Sequence, residues 1–199
     1  MADTKIDIKP DQPEKVYINP EAPWKFRVVY QDVFHFKSLY VTMYDWLMEN
    51  GWTSAEPWEV EKGKGDKDPE TMFYDNRSPG NNKIWIWWRL QKATGNPFYH
   101  HLMNIEFMML GMKDVEGVNR SGTKFTGQLG ELTIFIKPWM EVDYRNAWFN
   151  SPFVKPFLKY FRNRIYLQDL LQREELYLKD TYRFIGIIKK FLEQHTFLP

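Results

Sequence analysis

Apolar residues recur along this chain at two different periods, and the switches between them divide it into three parts. Between residues 33 and 50, Phe36, Leu39, Tyr40, Met43, Trp46 and Leu47 come at spacings of three and four, one face of a helix. Asp32 is the expected cap at its start, and Asn50-Gly51 offers the left-handed terminus at its end. From about 70 to 145 the pattern changes to short apolar runs between turn residues, which predicts strands. The runs are 71–76, 83–93, 98–112, 114–119, 124–128 and 131–144, with turn clusters at 78–82, 94–97 and 120–123. Connections this short cannot make parallel crossovers, so the pattern predicts an antiparallel sheet of about five strands. Pro138 marks an edge, a bulge or the end of pairing in the last run.

After Ser151-Pro152, a capping hydroxyl followed by proline at a first helical position, the longer period returns. Phe153, Phe157, Leu158, Phe161 and Ile165 predict a helix over 152–166. Leu171, Leu178, Ile185 and Leu192 then form one row every seven residues, with Leu170, Tyr177, Phe184 and Phe191 beside it. Two adjacent rows make a wide stripe, which predicts a long helix over 168–195 packed across a sheet. The fold class expected is therefore α+β, one sheet with an N-terminal helix and two C-terminal helices.

The stretch KIWIWWRLQ, residues 83–91, is the most informative part of the sheet. Alternation puts Ile84, Ile86, Trp88 and Leu90 on one face and Trp85, Trp87, Arg89 and Gln91 on the other. In the last run Phe135 and Trp139 lie opposite the apolar set Leu132, Ile134, Ile136, Met140 and Val142. The sheet should thus have one wholly apolar face and one mixed face, and the mixed face needs a cover. That cover is either the remaining helix layer or a partner.

Residues 1–25, with Pro10, Pro13, Pro20 and Pro23, read as an extended arm anchored by Val16, Tyr17 and Ile18. Residues 26–199 then form one domain. The polar, mixed-charge stretch 56–72 reads as a solvated connection.

Composition narrows the function classes. Lys+Arg 27 against Asp+Glu 26 leaves a formal net charge of +1, which does not fit a protein that tracks nucleic-acid phosphates. The absence of cysteine removes disulfides, thiolate metal sites and cysteine nucleophiles. No apolar run reaches the roughly 20 residues needed to span a bilayer, and no basic-then-apolar leader opens the chain, so no membrane insertion and a cytoplasmic location are expected. Aromatic residues at 18% are the unusual quantity: these types fill stiff cores, interfaces and ligand pockets alike.

Candidate chemistry is sparse. His100 and His101 are neighbours on a strand, so they point to opposite faces and cannot readily share a metal. His100, Asn104 and Glu106 share a face, but His100 and Glu106 lie about 20 Å apart along the strand, too far for direct pairing. Glu141 and Asp143 also share a face, near 7 Å apart, where solvation competes with any catalytic use. The basic segment with Lys155, Lys159, Arg162 and Arg164 is followed by Asp169 and Glu174-Glu175, which balance it as a solvated helix face. No metal or cofactor is expected.

The order of helix, antiparallel sheet and long helix resembles helix-grip folds that enclose apolar ligands, a likeness of element order alone. The leading expectation is a non-enzymatic structural or interaction protein that associates with itself, or with another protein, through the aromatic sheet face and the N-terminal arm. The alternative is a module for an apolar small molecule, in a cavity between sheet and long helix lined by Trp85, Trp87, Phe107 and Trp139. An enzyme using His100, Glu106 or the Glu141/Asp143 carboxylates is the third.

Overall fold

A computed structural model describes residues 14–18, 25–55, 69–78, 81–95, 98–118, 124–143, 147–157, 160 and 164–193. Seven strands and two long helices account for most of them: β1 (Glu14–Tyr17), β2 (Phe26–Phe34), α1 (Phe36–Glu49), β3 (Trp52–Ser54), β4 (Glu70–Ser78), β5 (Asn81–Ala93), β6 (Tyr99–Val118), β7 (Lys124–Val142) and α2 (Leu167–Phe191). Every pairing is antiparallel. The central order is β7, β6, β5; β2 and β1 share the outer edge of β7, and β4 and β3 share the outer edge of β5. Seven strands therefore fill five lanes.

The α+β class and the antiparallel sheet agree with the sequence pattern, while the numbers of strands and helices differ, for identifiable reasons. Runs 98–112 and 114–119 are one strand, β6, carried through a register shift between Leu110 and Lys113. Gly111 takes φ +65° there, a conformation that costs glycine little. Runs 124–128 and 131–142 likewise fuse into β7. Gly127 and Gly130 mark close approaches rather than turns. A Cβ on Gly127 would sit 2.9 Å from Val33 Cγ1, and one on Gly130 would sit 3.0 Å from the Leu110 carbonyl oxygen.

β2 occupies part of the expected helix. Its alternation, with Val28 and Phe34 buried, carries the strand to residue 34, so α1 starts at Phe36, the first residue of the apolar spacing, rather than near 33. His35, not Asp32, caps it: His35 Nδ1 accepts a bond from the Ser38 N–H at 3.1 Å. Asp32 Oδ1 instead accepts from the Val33 N–H. The other end follows expectation, with Gly51 at φ +77°.

Over the helix predicted for 152–166, the described residues form separate short pieces. Ser151 Oγ accepts from the Val154 N–H. After the helical turn Ala147–Asn150 the described residues make a turn, the 3-10 segment Lys155–Phe157, a helical position at Tyr160 and a π-helical pair at 164–165. Pro156 supplies no N–H to continue a helix. Residues 158–159 and 161–163 of that prediction lie outside the described residues, as do 1–13, 19–24, 56–68 and 194–199.

Both long helices pack on the same face of the sheet. Phe36 and Tyr40 of α1 meet Phe107 edge-on or tilted at 6.0 Å, and Tyr40 meets Trp88 at 4.6 Å. From α2, Tyr177 stacks on His101 at 4.4 Å and Tyr182 meets Phe26 at 5.5 Å. Trp46 stacked on Phe184 at 5.1 Å joins the helices to each other. Beneath them Ile86, Trp88, Leu90, Met103, Ile105, Phe107, Ile134, Ile136 and Met140 are buried. Each such side chain contributes about 1.5–3 kcal/mol by leaving water. Both heptad rows of α2 face this core except at Leu171, which is exposed.

Candidate functional site: the helix-free sheet face

Because α1 and α2 share one side, the opposite side carries no helix among the described residues. The register builds that face in rows across the lanes. One row is Tyr74, Trp85, Met108, Thr133 and Val29; the next is Met72, Trp87, Glu106, Phe135 and Arg27. Further along, Gln91, Leu102, Trp139 and Tyr17 form another. Trp85 is 39% exposed, whereas Trp88 on the inner face is fully buried. The alternation of residues 83–91 is thus as the sequence predicts.

Lysines and one arginine lie over these rings. Lys25 Nζ is 4.0 Å from the Phe135 ring centre and 3.8 Å from Glu106 Oε2. Arg27 is 5.8 Å from Phe135, Lys15 is 5.9 Å from Trp139, and Lys137 is 5.2 Å from Tyr17. Such cation–π contacts leave a hydrated charge over an apolar ring. Beneath these charged side chains Trp87, Phe135 and Trp139 are partly exposed. Crowding also hides polar atoms: Thr133 is fully buried, and neither its hydroxyl nor the Trp139 indole N–H has a hydrogen-bond partner.

The structure distributes the sequence candidates unequally. Trp85, Trp87, Phe135, Trp139 and Tyr17 share the helix-free face. Phe107 does not: it is 1% exposed beneath α1, on the other side of the sheet from Trp85, Trp87 and Trp139, so these four line no common cavity. Val16 and Ile18 point to the core side, with Ile18 buried and its N–H bonded to the Pro138 carbonyl. Of the three expected anchors, Tyr17 thus faces the open side and Val16 and Ile18 the core.

His100 and Glu106 are kept apart. Cross-strand register puts His100 opposite Glu141, with Nδ1 3.8 Å from Oε2, and its Nε2 lies 3.1 Å from Gln91 Oε1. The spacing of residues within one strand could not reveal this pair, which depends on how β6 and β7 align. Glu141 and Asp143 are separated in role as well as place. The Asp143 carboxylate accepts from the Trp148 N–H at 3.0 Å and so caps the turn that follows β7. His101 is a core histidine: burial, then Lys92, Arg173 and His100, lower its pKa to about 4.

Sequence reasoning missed a pocket. Between the start of α1 and one end of the inner sheet face lies a cavity of about 310 Å³. Phe36, Phe73, Ile84, Ile86, Met109 and Met112 line it, with Lys37, Asn82, Asp114 and Gln128 among its polar residues. Gln128 ties it together, accepting from the Phe36 N–H and donating to Asp114. Its signal was hidden in the β6 bulge, beyond which Asp114 pairs with Gln128, and the apolar spacing did not reveal that bulge.

Among the described residues no group of three or more His, Cys, Asp or Glu could hold a metal ion, and no helix is long and apolar enough to cross a membrane. Comparison with family models, curated proteins and solved structures finds no match to this chain.

Proposed function

We propose that this chain is a protein-interaction component that associates with a second copy of itself by burying the helix-free sheet face, with Tyr17 of the arm at its margin. One observation carries the reading: both helices pack on one side, leaving Trp85, Trp87, Phe135 and Trp139 together on the other. From Met108 to Leu102 along β6, and across five lanes, the face measures on the order of 20 Å by 20 Å. An area of about 400 Å² is within the range of the largest patches on monomers, which are often functional, and would make a small interface. The aromatic residues, Met72, Met108 and Arg27 of this face are of the types enriched in interface cores, whereas lysine is depleted there.

Sedimentation equilibrium tests the proposal. The wild-type chain should form a dimer or larger assembly, and Trp87→Glu should shift it to monomer without loss of secondary structure. A wild-type monomer at hundreds of micromolar would end this reading. A second reading, a module for an apolar small molecule, draws on the pocket beside Phe36. A pocket near 310 Å³ suits a small ligand. Native mass spectrometry of the purified protein tests it, since a ligand-free chain that binds no environment-sensitive dye would dismiss it.

A further inference from the structure

The cavity between the start of α1 and the inner sheet face is built differently at its floor and at its mouth. Ile86, Met109 and Met112 at the floor are buried, and Phe36 and Ile84 beside them are half-buried. At the mouth stand two exposed side chains of opposite charge, Lys37 from the first turn of α1 and Asp114 from β6. Among the described residues neither has an ion-pair partner. Their backbones are nevertheless held in place. The Gln128 side chain accepts from the Phe36 N–H at 3.1 Å and donates to Asp114 Oδ1 at 3.2 Å. One amide thus ties the strand that carries Asp114 to the helix end that carries Lys37. Asn82 donates to the Met112 carbonyl at 3.1 Å, which leaves its side-chain oxygen as an acceptor.

Most simple ligands meet an obstacle at this mouth. An apolar acid brings its carboxylate to Lys37 but also to Asp114, and an apolar amine brings its ammonium to Asp114 but also to Lys37. A wholly apolar molecule gains nothing from either charge. A zwitterion with an apolar tail satisfies both at once. Its carboxylate meets Lys37, its ammonium donates to Asp114 and the Asn82 oxygen, and its tail lies among Ile86, Met109 and Met112.

We infer that the cavity binds a free α-amino acid with a large apolar or aromatic side chain. In such a molecule both charges flank the one carbon that carries the side chain, so head and tail part at a single point, as mouth and floor do here. The inference rests on the second reading above, that this cavity takes a small ligand, and names that ligand's class. It is independent of the sheet-face association, which uses the opposite side of the sheet.

Methyl NMR of the full chain, labelled at isoleucine and methionine, tests it. L-Phenylalanine should shift Ile84, Ile86, Met109 and Met112 saturably, with a dissociation constant below about 1 mM. Met72 and Met108, on the helix-free face, should stay still. Phenylpropionate and phenethylamine, which each lack one of the two charges, should bind roughly five- to tenfold more weakly. Lys37→Gln should lower phenylalanine to about the affinity of the amine, and Asp114→Asn to about that of the acid. Both side chains are exposed, so the unliganded spectra should keep their dispersion. Benzyl alcohol, which is uncharged, separates this inference from the reading beneath it. If the alcohol shifts the cavity methyls and phenylalanine does not, the amino-acid assignment is overturned while the cavity remains a ligand site. Phenylalanine binding no tighter than its single-charge analogues has the same consequence. If neither phenylalanine nor the alcohol moves these methyls, both readings fall. Shifts centred on Met72 and Met108 would also overturn the inference, because the ligand would then lie on the other face.

Discussion

Tyr40 joins three elements through one oxygen, and removing that oxygen is a sharp test of how the core is wired. The buried indole of Trp88 on β5 donates to Tyr40 Oη at 3.0 Å, and Tyr40 Oη donates to Glu70 Oε2 of β4 at 2.6 Å. Tyr40→Phe keeps the ring against Trp88 and Phe107 but leaves the Trp88 N–H without its acceptor. An orphaned buried donor costs about 1–3 kcal/mol. The lost bond to Glu70 adds roughly 1 kcal/mol, since that half-buried carboxylate can take water instead. The expected destabilisation is about 2–4 kcal/mol, or a melting point lower by roughly 5–12 °C for a domain of this size. Urea unfolding followed by circular dichroism measures it, with Tyr74→Phe as the control on a half-exposed ring, expected within about 0.5 kcal/mol of wild type. If Tyr40→Phe also falls within that margin, the α1–β5 contact is not as described, and the assignment of the inner face loses its best-defined polar link.

Stability should fall on acidification in a window set by His101. Its folded pKa, near 4, lies below the ordinary 6.5 because burial disfavours the imidazolium. The unfolded chain therefore binds the proton first, and stability declines as pH drops from about 6.5 towards about 4, then levels off for this group. The loss is about 3 kcal/mol, and His101→Gln should flatten it in urea titrations at stepped pH. Two glycines should separate backbone strain from crowding. Gly111→Ala meets no neighbour but must hold φ +65°, costing about 1 kcal/mol. Gly130→Ala has no such strain but strikes Met112 Sδ at 2.7 Å and the Leu110 carbonyl at 3.0 Å, so it should cost about 2 kcal/mol or more and perturb amide exchange at the bulge.

Where periodicity was strong and local, it carried the fold. Leu39, Met43 and Leu47 in α1, and Tyr177, Phe184 and Ile185 in α2, are buried on the faces their spacing implies. The alternation of residues 83–91 likewise divides buried Ile86, Trp88 and Leu90 from Trp85, Trp87 and Arg89. What failed was punctuation. Gly127 and Gly130 resemble turn residues but serve close packing within β7, and Phe26, Val28 and Phe34 alternate in a strand that the following helical spacing obscured. Around Pro156, in the stretch whose apolar face looked complete, the described residues Lys155–Phe157 form a 3-10 turn. The open face was only half legible. Alternation shows which residues share a side, but which side the helices choose depends on contacts such as Tyr40 with Trp88 and Tyr177 with His101. The His100–Glu141 pair depends on register, which no single strand encodes.

Hydroxyl-radical footprinting of individual tryptophans, read by mass spectrometry across a dilution series, addresses the central claim directly. At high concentration Trp85, Trp87 and Trp139 should be protected, and on dilution they should become reactive together while Trp88 stays protected throughout. Tryptophans 85, 87 and 139 that stay protected at every dilution would mean that the chain covers its own sheet, and the proposed interface would not exist.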